Sequence, residues 1–137
     1  MASEATDKIQ VGLEGRYERA VPFEWTIAHW DARLPAVFST PAMIGMMEAA
    51  SSIAVQPALA EGTITVGTRI EVDHLKAVGA RTVVTALARL TDVNGRILGF
   101  DVEARAGELV IGRGRVYRAI VDIGRFHEKA GQSPSTK

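Results

Sequence analysis

No cysteine occurs anywhere in the 137-residue chain. That removes disulfides, thiolate metal ligands and a cysteine nucleophile, and it agrees with a reducing compartment. Net charge is missing as well. Sixteen basic residues balance sixteen acidic ones, so no overall field draws nucleic acid or an anionic membrane, although a local basic patch is compatible with that balance. The three histidines, His29, His74 and His127, are scattered without a close His/Asp/Glu ligand cluster, which argues against a metal site and against a zinc enzyme in particular. Long apolar runs are absent too: the longest, Ala42 to Ala50, already contains Glu48, far short of a membrane span. Residues 1–9 carry acids early and lack the apolar stretch of a secretory leader. The expectation is a soluble cytoplasmic protein with neither a membrane nor a nucleic-acid partner.

What the chain does have, 47% hydrophobic and 23% charged residues, suits one globular domain with a real core. The folded unit is expected over residues 10–127, with polar tails at 1–9 and 128–137. No internal repeat is visible. From Lys8 to Arg19 polar and apolar residues mix around two glycines, and Phe23, Trp25 and Ile27 then alternate, so one or two opening strands are expected. Thr40-Pro41 reads as an N-cap followed by a first-turn proline. The helix it opens runs to near Pro57 with apolar residues on almost every side, as in an enclosed helix.

Past Gly62 the period changes to two. Ile64, Val66, Ile70 and Val72 oppose Thr65, Arg69, Glu71 and Asp73, which predicts a strand with one buried face. Val84, Ala86, Ala88 and Leu90 share one side of the next strand, and Asn94-Gly95 supplies a hairpin turn into Leu98, Phe100, Val102 and Ala104. After a turn at Gly107, the last run is inward at Val110, Val116 and Ile120, with Gly112 and Gly114 leaving room for the helix. One buried helix followed by strands joined by short turns gives an α+β fold in which a curved antiparallel sheet wraps a long central helix.

Parity makes three ionisable groups conspicuous, because each sits where its element otherwise buries hydrocarbon. Glu48 lies mid-helix among Ile44, Met46, Met47, Ala49 and Ala50. A half-buried carboxylate there suits acid/base work, and an exposed gap or subunit contact is the alternative. His74 continues the inward series of Ile70 and Val72, as a proton shuttle or as a core histidine bonded to a carbonyl. Arg118 follows Val116 and Ile120 inward, to pair with a buried acid or to meet an anionic ligand, whereas Arg113 and Arg115 point outward. Thr40 is accounted for by capping, and the same helix end presents N–H groups to a developing oxyanion. Trp25, Trp30 and Phe38 line a pocket mouth or simply pack.

The segment Phe38-Ser-Thr-Pro-Ala-Met-Ile-Gly-Met-Met-Glu-Ala-Ala, with Val66-Gly-Thr-Arg-Ile-Glu-Val-Asp-His-Leu downstream, resembles the fluoroacetyl-CoA thioesterase-like family of hot-dog proteins. The resemblance spans nearly the whole folded region. It implies a hot-dog fold and a catalytic set of a helix-start threonine, a glutamate eight residues on and a strand histidine, which fall on Thr40, Glu48 and His74. It places the family's strand glycine on Gly67 and its late-strand arginine on Arg118, as substrate-binding residues. It further implies a homodimer with active sites between subunits, pantetheine in a tunnel there, and no metal or prosthetic group, coenzyme A being part of the substrate. Pairing of dimers into a tetramer stays open.

The implied activity is hydrolysis of a small or medium acyl-CoA to the free acid and CoA. An enoyl- or hydroxyacyl-thioester hydratase or dehydratase, or a non-catalytic acyl-CoA or small-molecule binding protein, are the alternatives on the same fold. The aromatic lid that the resemblance would place ahead of the threonine is replaced by Asp31, Ala32, Arg33 and Leu34, with Trp30 nearby, so selectivity for fluoroacetyl-CoA is not expected.

Overall fold

The computed structural model describes residues 8–131. Strand β1 (Glu14–Ala20) leads into helix α1 (Thr40–Val55), which is followed by β2 (Thr63–His74), β3 (Val83–Asn94), β4 (Ile97–Ala106), β5 (Leu109–Asp122) and a terminal helix α2 (Ile123–Gly131). The strands form one sheet in the order β1-β3-β4-β5-β2, every neighbour antiparallel. Two-residue connections at Gly95-Arg96 and Gly107-Glu108 explain that pairing, since such short turns can only return the chain alongside itself. Ile9, within the segment expected as a tail, is buried in the core, and α2 continues past residue 127 as an exposed helix. The rest of the two expected tails, residues 1–7 and 132–137, lies outside the described residues.

Helix α1 lies mainly against β1 and β3. Met43, Met46, Met47, Ala50, Ala54 and Val55 meet Val84, Ala86, Ala88, Leu90, Leu98 and Phe100 in a core of fully buried side chains. Its closest approach is at Gly15 of β1, where a Cβ would collide with the helix backbone at Ala50 and lie 2.6 Å from Ala54 N. Gly112 also faces the helix, at the Met43 sulfur, but Gly114 does not: a Cβ there would strike the β2 backbone at Glu71 and Val72, so that glycine serves strand approach rather than helix packing.

Three expectations from periodicity are corrected. Val21–Ala28 is no strand: after Pro22 the chain forms two single 3₁₀ turns, Phe23–Trp25 and Ile27–His29, because local N–H groups close onto carbonyls three residues back. In β2 the register slips between Gly67 and Arg69, so Thr68 is an extra residue that reverses the parity. Before the slip, Thr65 and Gly67 share the helix-facing side with Ile120 and Arg118, while Ile64 and Val66 turn away; beyond it, Ile70, Val72 and His74 face the helix. A similar irregularity between Ala104 and Arg105 in the β4–β5 ladder buries Ile111 in place of the expected Val110.

Candidate active site

The cap of α1 is Ser39, not Thr40. The Ser39 hydroxyl accepts from Ala42 N–H at 3.2 Å, and Thr40 and Pro41 occupy the first helical turn. Because the serine satisfies the helix end, the threonine hydroxyl is released for another partner. It finds His74: Thr40 Oγ1 lies 2.8 Å from Nδ1. His74 ends β2, brought level with the helix start by its pairing opposite Gly112, whose missing side chain leaves space for Met43. Phe38 stands edge-on to the imidazole, with centroids 6.4 Å apart and planes at 78°. The other ring nitrogen, Nε2, is buried without a protein partner among the described residues. A buried polar atom left unmatched is costly unless something else fills the role, so Nε2 marks a place where a ligand or water belongs.

A cavity of about 320 Å³ opens at this point, lined by Ile27, Val37, Phe38, Ser39, Thr40, His74, Leu75, Lys76 and Ala77. Of the three aromatic residues read as a pocket mouth, only Phe38 lines it. Trp30 is 62% exposed, and Trp25 packs under the Arg19 guanidinium at 4.5 Å. Asp31 and Arg33 pair with each other at 2.8 Å, and none of residues 30–34 reaches the cavity wall. His29 and His127 are exposed, as expected.

Glu48 belongs to a second cluster. Its Oε2 accepts from Arg118 Nη1 at 2.8 Å, which settles Arg118 as the partner of an acid on α1. Arg118 is 8% exposed and is held by three hydrogen bonds, the other two from Nε to Thr65 Oγ1 and from Nη2 to Thr65 O, both 2.8 Å. Burial pushes its guanidinium below the ordinary arginine value, and the Glu48 carboxylate works against that shift. Gly67, paired opposite Arg118, is where the carboxylate rests: a Cβ there would overlap Glu48 Oε2. The glycine therefore makes room for the acid, whatever its backbone does for a ligand.

Thr65 escaped the periodicity argument because the slip at Thr68 puts it on the opposite side from the one alternation assigns. Ser39 escaped the sequence reading because proline's preference for the first helical position makes Thr40 the cap, whereas Pro41 here takes the second position and the cap falls one residue earlier.

Within one chain the two clusters do not meet. Eight residues of helix separate Thr40 from Glu48, about 12 Å at ~1.5 Å per residue, and no hydrogen bond joins Glu48 to Thr40 or His74 among the described residues. Arg115, by contrast, faces the other side of the sheet, with Asp92 and Asp101.

A family model described as fluoroacetyl-CoA-specific thioesterase matches residues 21–123. The curated fluoroacetyl-CoA thioesterase of Streptantibioticus cattleyicolor is 35% identical over 132 residues, covering 92% of this chain and 95% of that one. The chain belongs to the fluoroacetyl-CoA-specific thioesterase family. Membership makes it a thioester hydrolase. A solved structure of the fluoroacetyl-CoA thioesterase superposes with a TM-score of 0.86 at 34% identity, covering 93% of this chain and 98% of that one. The fold alone recurs in a hot-dog-like protein from Thermanaerovibrio acidaminovorans, with a TM-score of 0.84 at 20% identity and coverage of 96% and 98%. The architecture of helix and wrapped sheet is thus the hot-dog fold of this thioesterase family.

Proposed function

We propose that the protein hydrolyses a small or medium acyl-CoA to the free acid and CoA, with Thr40, Glu48 and His74 as catalytic residues and Gly67 and Arg118 shaping the substrate site. The observation that carries this reading is the buried, unpartnered His74 Nε2 beside Thr40, at the mouth of a cavity at the start of α1. A thioester carbonyl seated there would direct its developing oxyanion toward the helix N-terminus, whose N–H groups and dipole favour negative charge. His74 then moves the proton. If Thr40 donates to Nδ1, Nε2 carries the ring proton and can give it to the departing thiolate. If Nδ1 donates to Thr40, Nε2 is the base that takes a proton from water. Glu48 either attacks the carbonyl directly or activates the water, held in place by Arg118 across Gly67. No step needs a metal or prosthetic group.

Bringing Glu48 to the histidine requires a second copy of the chain. Strand β2 is a sheet edge twelve residues long, and its stretch Gly67–Glu71 is exposed, including the helix-facing Ile70. A long bare edge is a template for further pairing. An antiparallel β2–β2 contact about a two-fold axis at Glu71, with the bulged Thr68 left out of the pairing, sets Gly67 opposite the partner's His74 on the helix-facing side. Each site would then combine Glu48 and Arg118 of one protomer with Thr40 and His74 of the other, giving two sites per homodimer.

The curated relative's two-carbon fluoroacyl substrate supports a small acyl group. The absence of residues 30–34 from the cavity wall is the reason fluoroacetyl-CoA itself is not proposed. Among the described residues no helix is long and apolar enough to cross a membrane. The cytoplasm, where acyl-CoA is made and used, is the compartment this reading implies. Thiol release from a panel of short to long acyl-CoAs, including aromatic and halogenated acyl groups, tests it directly. Release by the wild type and its loss in Glu48→Ala are expected; saturable binding of every member without release would make the protein an acyl-CoA binder instead.

A further inference from the structure

We propose that a separate basic cavity at the junction of β5 and α2 receives the phosphorylated nucleotide end of coenzyme A, an inference that rests on the thioesterase reading. The cavity, about 320 Å³, is lined by Arg96, Val121, Asp122, Arg125, Phe126 and Lys129. Three cations face it against one acid, in a chain whose charges cancel overall. The acid is already engaged: Asp122 Oδ1 accepts from Arg125 N–H at 3.0 Å. Arg96 is anchored beside the cavity by a bond from Nη1 to Ile120 O at 3.0 Å, which leaves its other donors available. The Arg125 guanidinium and the Lys129 ammonium have no partner among the described residues, so neither is consumed in a structural ion pair. Phe126, 40% exposed, adds an aromatic surface to the same hollow.

That combination suits a nucleotide carrying more than one phosphate. The cations answer the phosphates by charge-assisted hydrogen bonds, and the phenyl ring offers a base a stacking surface. The place in the fold agrees. Asp122 stands four residues along β5 from Arg118, about 13 Å at ~3.3 Å per residue, on the half of the sheet that carries Gly67 and the open β2 edge. An extended pantetheine arm starting at the Glu48–Arg118 cluster spans that distance, with the nucleotide left outside the catalytic cavity.

The test compares the full-length wild type with an Arg125→Glu/Lys129→Glu double variant. Both side chains are exposed, and a thermal melt checks that the variant remains folded. Turnover is measured on an acyl-CoA and on the acyl-pantetheine carrying the same acyl group, and binding of adenosine 3′,5′-bisphosphate is measured by calorimetry. Loss of two charge-assisted contacts should raise KM for acyl-CoA roughly ten- to a hundredfold. KM for acyl-pantetheine, which has no nucleotide, should move less than twofold, and the bisphosphate should bind the wild type only. Unchanged KM for acyl-CoA in the variant, with both thioesters still hydrolysed, overturns the site while leaving the thioesterase reading intact. If the wild type hydrolyses neither thioester, that reading falls, and the calorimetry decides the cavity alone: binding that the double variant loses supports it, and no binding overturns it.

Discussion

Replacing Gly67 by alanine adds one methyl group and should nevertheless disable the enzyme. Gly67 has no positive φ, so alanine is compatible with the backbone. The new Cβ would overlap Glu48 Oε2, lie 3.2 Å from Glu48 Cδ and lie 3.7 Å from Arg118 Nη1. Carbon needs about 3.5 Å from a neighbouring heavy atom, so the carboxylate oxygen must retreat by at least about 1 Å. A misplacement of that size costs on the order of a hundredfold in rate, equivalent to about 2.7 kcal/mol of transition-state stabilisation. Stability should suffer far less. The atom displaced is the end of a flexible side chain that is 33% exposed, which places the cost near the lower end of overpacking, about 1 kcal/mol. That corresponds to a fall in Tm of roughly 3–6 °C. The assay is kcat/KM by thiol release beside a thermal melt of the same sample. Activity within twofold of wild type would show that the Glu48 position next to Gly67 has no part in the reaction, and a collapse of Tm with the activity would make the glycine purely structural.

Mixing Glu48→Ala with His74→Ala, each inactive alone, should restore about a quarter of wild-type turnover by random assortment into heterodimers; recovery of nothing after verified subunit exchange would place both residues in one chain's site. Ser39→Ala removes the cap and should lower stability by about 1 kcal/mol in urea titration, whereas Thr40→Val should spare stability and cut kcat roughly ten- to a hundredfold by freeing Nδ1 of His74. Ile70→Asp places a charge on the open β2 edge and should yield a folded monomer by light scattering, with activity lost. Gly15→Ala sets a Cβ 2.6 Å from the Ala54 backbone nitrogen and should destabilise by about 3 kcal/mol or more, seen as a large fall in the melting transition.

Sequence periodicity by itself determined the one enclosed helix, the β3–β4 hairpin with its buried faces, and the inward placement of Arg118 and His74; the proposed roles of Thr40, Glu48 and His74 rest on the family resemblance instead. Those features depend on local chemistry: alternation, apolar stripes and turn residues act over a few positions and need no distant partner. What alternation could not carry was any extra residue in a ladder. The slip at Thr68 exchanges Val66 for Thr65 on the helix side and aims Gly67 at Glu48, and the one near Ala104 exchanges Val110 for Ile111. Such slips are set by neighbouring strands, so nothing in β2 or β5 alone announces them. The same holds for partners. Only the folded chain shows that the Thr40 hydroxyl is taken by His74 because Ser39 caps the helix, and that Glu48 belongs with Arg118 and Thr65. Sequence can name ionisable groups in apolar places, but distances across a sheet arise from packing that brings together residues as remote as Glu48 and Arg118, 70 positions apart.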